Sequence, residues 1–220
     1  MTNPENEENP FSSKEIIIGC PWAYDSGFSI ETVEPSGVVR LALHLGVIGN
    51  NTKVLNLGCG KNPRNALFLA HLYGCSIDAI DLEQPDFPND ITPETFQRIN
   101  FKQGSILDFD YGRETYQAAV MARLIQYLSP EEIDLLLSKV SESLLPQGGI
   151  ALSYTAQGGI LNRSGEYNIQ TFAHPIDSVT HLLEQKGLSI KVLLPGTSKS
   201  THVPHAGEEA VTFDIVAQKA

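Results

Sequence analysis

The residues best suited to chemistry are Gly58, Gly60 and Asp81. They stand in Val54-Leu55-Asn56-Leu57-Gly58-Cys59-Gly60 and, twenty-odd residues later, Ile80-Asp81. A short apolar run that ends in Gly-x-Gly lets backbone approach a ligand closely. A helix-like segment follows, and its N-terminus favours negative charge. A second apolar run ends in a carboxylate, whose two oxygens suit a pair of ribose hydroxyls. Together they mark the ligand crevice of a nucleotide-handling α/β sheet. Cys59 sits between the glycines, where a small residue is needed, and reads as a structural thiol rather than a reactive one.

The elements that must hold these residues alternate along the chain. Residues 35–45 read as a helix, with Pro35 near its start, apolar Val38, Val39, Leu41, Ala42 and Leu45, and Gly46 as a stop. Strands are expected at 53–57, 76–80, 100–103, 116–122 and 149–154. Helices are expected at 64–73, closed by Gly74, from Pro93, and from Ser129-Pro130-Glu131-Glu132, which is a capping box with Pro at the first helical position. In the last of these, Ile133, Leu136, Leu137, Val140 and Leu144 share one face. A helix over 175–186 stops at Gly187. Strands 188–194 and 210–218 then follow with only a loop between them, so they pair antiparallel at the sheet edge. Alternating strands and helices predict a mostly parallel sheet with helices on both faces. Residues 15–19 read as a short strand or packed extended segment.

The 220 residues fit one domain, taken as 13–220, behind a polar, disordered tail over 1–12. The N-terminus lacks a basic or apolar leader, and no stretch approaches the ~20 apolar residues of a membrane span, so a cytoplasmic protein is expected. A net charge of -11 disfavours a general nucleic-acid binder. Three widely spaced cysteines, Cys20, Cys59 and Cys75, suggest neither a disulfide framework nor a zinc pair. His202 and His205 form a His-x-x-His pair without a convincing third ligand, so no metal site is expected. The connection 156–174 is long for a loop and follows strand carboxyl ends. With Trp22–Phe28 it is the candidate wall or lid of a binding site.

The order of these landmarks resembles the class I S-adenosylmethionine (SAM)-dependent methyltransferases over residues 35–219. The resemblance rests on VLNLGCG, on Asp81 in IDAIDLE, on INFKQGSILDFD, on YQAAVMARLIQYLSPEE, and on LLPQGG, similar to the family's Leu-x-Pro-Gly-Gly. The stretch GCGKNPRNALFLAHLYGCSIDAID is also similar to the tellurite-resistance-type and thiopurine-type small-molecule methyltransferases. What the resemblance implies is a Rossmann-like, seven-stranded, mostly parallel sheet with the last strand antiparallel, and SAM as cofactor. It implies that Asn56 and the backbone of Gly58, Cys59 and Gly60 face the methionine end, and that Asp81 accepts from the ribose. Leu82, Ser105 and Ile106 are implied around the adenine, and Met121 to Arg123 along the methyl-transfer region. His174 and His202, with His205, are the candidate bases, needed only for an acceptor protonated in its ground state.

This chain departs from the family at three positions. Asn56 stands where an acid is common, Asn62 replaces the third loop glycine, and Ser105 stands where Asp is common, with Asp108 able to compensate if the loop folds back. The expected function is methyl transfer to a small-molecule acceptor, the chain having few insertions and no separate recognition module. The alternative is a methyltransferase-fold protein that binds without catalysis. An NAD-dependent dehydrogenase ranks below both, because Pro63 stands where the third glycine of its fingerprint belongs.

Overall fold

A computed structural model describes residues 29–156, 159–163, 167–199 and 209–220. The proposed tail, the segment 15–19, Trp22–Phe28, His202 and His205 lie outside them. The strands are β1 (Lys53–Leu57), β2 (Ser76–Asp81), β3 (Ile99–Gln103), β4 (Tyr116–Ala122), β5 (Leu144–Thr155), β6 (Gly159–Arg163), β7 (Tyr167–Thr171), β8 (Leu188–Lys199) and β9 (Glu209–Lys219). The helices are α1 (Gly37–His44), α2 (Arg64–Tyr73), α3 (Pro93–Gln97), α4 (Pro130–Ser143) and α5 (Ile176–Gln185).

Seven strands form one sheet in the order β3-β2-β1-β4-β5-β9-β8. β1 to β5 are parallel, and β9 runs antiparallel between β5 and β8. This is the expected Rossmann-like topology with its last strand reversed. Local chemistry explains the helix ends. The Ser129 hydroxyl accepts from Glu132 N–H at 3.3 Å while the Glu132 carboxylate accepts from Ser129 N–H at 2.7 Å, which closes the capping box of α4. α2 ends on left-handed Gly74. α1 starts two residues later than expected, because Ser36 after Pro35 is its N-cap.

Strand alternation divides the core in two. Leu55, Leu57, Ile80, Met121, Leu152 and Ile215 pack against α4 and α5. Val54, Ile77, Ala79, Val120, Ala151 and Val216 pack against α1 and α2. Every second residue therefore belongs to the α1/α2 face, and toward the carboxyl ends of the parallel strands these positions are Asn56, Asp81, Ser153 and Thr155, with Asp214 of the antiparallel β9 opposite Ser153.

Two segments differ from expectation. The LLPQGG stretch lies inside β5 rather than before it. The register shifts between Tyr116 and Ala118, and a Cβ on Gly149 would stand 2.6 Å from the Ala217 carbonyl oxygen. The long connection 156–174 contains the hairpin β6–β7, with Gly159 opposite Thr171 and Arg163 opposite Tyr167. Its β7 stretch alternates apolar and polar residues over only five positions among glycine and polar neighbours, too short a signal to separate it from a loop. No helix among the described residues is long and apolar enough to cross a membrane.

At the opposite, amino end of the sheet, Asp78 is buried among Tyr116, Asn100 and Lys53. Tyr116 and Asn100 each donate to its carboxylate at 2.7 Å, and Lys53 Nζ lies 3.2 Å away. Burial works to raise the Asp78 pKa. The hydrogen bonds from Tyr116, Asn100 and Lys53, with the Lys53 charge, outweigh it and hold the carboxyl below its ordinary value. Such a group stabilises the fold above the ordinary carboxylate range, and that stability is lost as pH falls through the lowered value. Tyr116→Phe should cost about 1–3 kcal/mol in urea unfolding at neutral pH, since it leaves a buried acceptor short of a partner. Asp78→Asn should flatten the acid limb of the stability–pH curve.

Candidate functional site

The carboxyl end of β1 turns through Gly58 (φ 65°) and Gly60 (φ 70°), both in the left-handed region that favours glycine. Gly58 N–H donates to the Ile80 carbonyl at 2.9 Å, and Gly60 N–H donates to Asp81 Oδ2 at 2.7 Å. Asp81 Oδ1 accepts from Glu83 N–H at 2.9 Å. The Asp81 carboxylate thus ties the glycine turn to the end of β2. The two glycines differ in their surroundings. A Cβ on Gly58 would stand 2.7 Å from Leu124 Cδ1, whereas one on Gly60 would enter open space.

Two asparagines at this end hold unspent polar atoms. Asn56 is 2% exposed, and its Nδ2 has no hydrogen-bond partner; the buried Oδ1 of Asn62 has none either. Buried polar groups are nearly always paired, so an open donor and an open acceptor stand out at this end of the sheet. Nearby, Asn65 Oδ1 accepts from Ser36 N–H at 2.8 Å and joins the starts of α1 and α2. The Cys59 thiol is pushed up to about 12, first by burial and then by the Asp81 charge, so it stays protonated near neutral pH.

Leu82 follows Asp81 and is 69% exposed, an apolar surface free for an aromatic ring. Gly104 N–H donates to the Asp81 carbonyl at 2.8 Å, which brings the 104–108 turn against the same edge. Ser105 Oγ accepts from Leu107 N–H at 3.2 Å, and Asp108 N–H donates to the Ser105 carbonyl at 3.1 Å. Ile106 is buried, and Tyr111 donates its hydroxyl to the Ile106 carbonyl. Ser105 and Ile106 therefore shape a tight turn beside Asp81.

The end of β4 divides the remaining candidates. The Met121 side chain is fully buried in the α4/α5 core with Leu57 and Ile80, so it does not line a cleft; alternation along β4 sends it inward. Arg123 adopts φ 59°, donates its N–H to the Ser153 carbonyl at 2.7 Å and its Nη1 to Thr155 Oγ1 at 2.6 Å. Close by on β9, the Asp214 carboxyl is pushed up to about 6 by burial, opposed by the Arg123 charge. In the sequence Asp214 carries no motif; its one signal is an acid that shares the Thr212 and Val216 face of the alternating strand β9.

His174 is engaged elsewhere. It is buried, stacks on Phe172, and its Nε2 donates to the Leu128 carbonyl at 3.1 Å. Burial lowers its pKa, opposed by hydrogen bonds to the Leu128 and Ile125 carbonyls. Its N–H donates to the Ala156 carbonyl at 3.1 Å, and Phe172 N–H donates to the Gln126 carbonyl at 2.8 Å. The ring thus pins the base of the β6–β7 hairpin to the turn after β4, which leaves it poorly placed as a base. Among the described residues no group of three or more metal-ligating side chains comes together.

No family model matches the sequence, and no curated protein matches it. Solved structures do match. A SAM-dependent methyltransferase from Methanosarcina mazei superposes with a TM-score of 0.65 at 16% identity, over 80% of this chain and 96% of that one. A TehB-like SAM-dependent methyltransferase from Corynebacterium glutamicum gives 0.58 at 16% identity, over 85% and 89% of the two chains. The 1,6-didemethyltoxoflavin-N1-methyltransferase from Burkholderia thailandensis, solved with 1,6-didemethyltoxoflavin and S-adenosylhomocysteine, gives 0.58 at 20% identity, over 83% and 76%. The glycine turn, the acid after β2 and the reversed β9 thus belong to one known architecture: this chain has the fold of the class I SAM-dependent methyltransferases.

Proposed function

We propose that this protein is a SAM-dependent methyltransferase acting on a small-molecule acceptor. The observation that carries the reading is the pair of unpartnered buried atoms, Asn56 Nδ2 and Asn62 Oδ1, on the chain segments that flank the Gly58–Gly60 turn. An amino-acid group offers what each lacks. Its carboxylate accepts from the Asn56 amide, and its ammonium donates to Asn62 Oδ1. The lone pairs of Asp81 not used by Gly60 and Glu83 are left for ribose hydroxyls, and the exposed Leu82 for the adenine face, with Ser105 and Ile106 beside it.

When bound, SAM supplies a methyl group already activated on a sulfonium, so the protein's part is positioning and electrostatics. Gly58, Cys59 and Gly60 would orient the amino-acid end through backbone, and Asp81 would fix the ribose. The Burkholderia neighbour, whose acceptor is a small molecule, supports an acceptor of that class. A second reading, binding without transfer, draws on Asp81, because both its oxygens already accept backbone N–H groups.

Isothermal calorimetry with SAM tests the proposal. Saturable binding is expected, and absence of heat at millimolar SAM would sink it. Asp81→Ala should weaken SAM binding about tenfold or more, because a hydrogen bond to a charged group is worth about 1.5–3 kcal/mol. Unchanged affinity would remove Asp81 from the ribose site. The two glycines should separate fold from binding. Gly60→Ala should cost about 1–2 kcal/mol of stability for a left-handed alanine and abolish measurable SAM binding. Gly58→Ala should cost more in thermal melts, since its Cβ also meets Leu124.

A further inference from the structure

A second concavity lies away from the glycine turn. It is an open groove of about 610 Å³, a size suited to a small molecule. Its lining comes from three pieces of chain. α1 contributes Arg40 and Leu43, about one turn apart on the same face, and α2 contributes Phe68 and Tyr73. The third piece is the segment 31–34, which is held at both ends. Ile30 N–H donates to Asp90 Oδ1 at 3.0 Å, and Ser36 N–H donates to Asn65 Oδ1 at 2.8 Å. The Tyr73 carbonyl accepts from Asn51 N–H at 2.8 Å just ahead of β1, so this end of α2 sits at the amino side of the sheet. Gly60 and Asp81 lie at the other side.

The chemistry of the groove is aromatic and acidic. The Phe68 and Tyr73 rings are 5.6 Å apart and tilted by 39°. Both are half-buried against the α1/α2 core, so each keeps surface where the groove runs past it. Glu34 is spent on Arg40, at 2.8 Å. Glu31 is exposed and forms no ion pair among the described residues, so with His44 neutral the lining carries one uncompensated negative charge. An aromatic face attracts a cation through its quadrupole, and the carboxylate adds a full charge of the same sign. A cation with an apolar shell meets both the rings and Leu43. An inorganic cation has no such shell, and an anion is repelled by Glu31.

We propose that this groove binds a small organic cation of the quaternary ammonium class, held by the Phe68 and Tyr73 rings and the Glu31 carboxylate. The site is separate from the cofactor crevice and does not depend on the methyltransferase reading. Because the segment 31–34 is pinned at both ends, the groove stands formed before the cation arrives, which lowers the ordering cost of binding.

Choline is the probe, and 3,3-dimethylbutan-1-ol, which has carbon in place of the charged nitrogen, is the neutral control. His44 also lines the groove, so the NMR titrations are run at about pH 8, above the range in which an unperturbed histidine gains charge. Saturable choline binding is expected, with the alcohol about tenfold weaker because it loses both the ring and the carboxylate attraction. Glu31→Gln and Tyr73→Leu should each weaken choline about threefold to fivefold. Thermal melts check the fold of both variants, and Glu31→Gln, on an exposed side chain, should melt with the wild type. Saturating S-adenosylhomocysteine should leave choline affinity unchanged. Absence of saturable choline binding, equal binding of the alcohol, or choline affinity unchanged in Glu31→Gln and Tyr73→Leu would overturn the proposal. Displacement of choline by S-adenosylhomocysteine would also overturn it, by placing the cation in the cofactor crevice. If S-adenosylhomocysteine fails to bind while choline binding depends on Glu31, the cofactor reading falls and this site stands.

Discussion

The hydrogen bond from Gly60 N–H to the Asp81 carboxylate organises the carboxyl edge of this sheet. It joins the turn after β1 to the end of β2, and the Gly58 N–H to Ile80 carbonyl bond runs alongside it. A turn with two left-handed glycines is intrinsically loose, because glycine loses the most freedom on ordering. A charge-assisted bond to the middle of the turn offsets that entropy. The same carboxylate then holds Glu83 N–H, and the Asp81 carbonyl holds Gly104 N–H, so three consecutive strand ends are fixed from one residue. Asp81 is thus a scaffold group before it is a ligand group, and the two roles compete for its lone pairs.

Much of the scaffold was legible in the sequence because it rests on local rules. The capping box at Ser129, the helix stops at Gly74 and Gly187, and the apolar runs over 53–57 and 116–122 each have a short-range physical cause. The reversed final strand was legible because no helix-length segment separates β8 from β9. The β6–β7 hairpin was not, since its alternation spans only the five residues of β7; what anchors its base is the non-local engagement of His174 and Phe172 with the turn after β4. The inward packing of Met121 follows from strand alternation, yet that alternation is hard to phase from a run in which Ala118 through Met121 are all buried.

Within the site the legibility is uneven for the same reason. Gly58, Gly60 and Asp81 declare themselves through spacing within one βαβ unit. Asp214 comes opposite Ser153 only because β9 inserts between β5 and β8. No local pattern reports such a pairing. Asn56 is the intermediate case. Its identity was visible as a departure from the family, but its meaning depends on the orphaned Nδ2, which only burial and a hydrogen-bond census reveal.

The two ends of the sheet treat buried charge in opposite ways. At the amino end Asp78 receives Tyr116, Asn100 and Lys53, and its charged form is favoured. At the carboxyl end Asp214 is half-buried, and desolvation disfavours its charged form, opposed by the Arg123 charge. A carboxylate surrounded by donors has little left to offer a ligand, whereas one that is under-compensated gains most from a new donor. Stability and chemistry therefore separate along the strands. The network at the amino end secures the fold, while toward the carboxyl end Asn56 and Asn62 keep buried polar atoms without a protein partner.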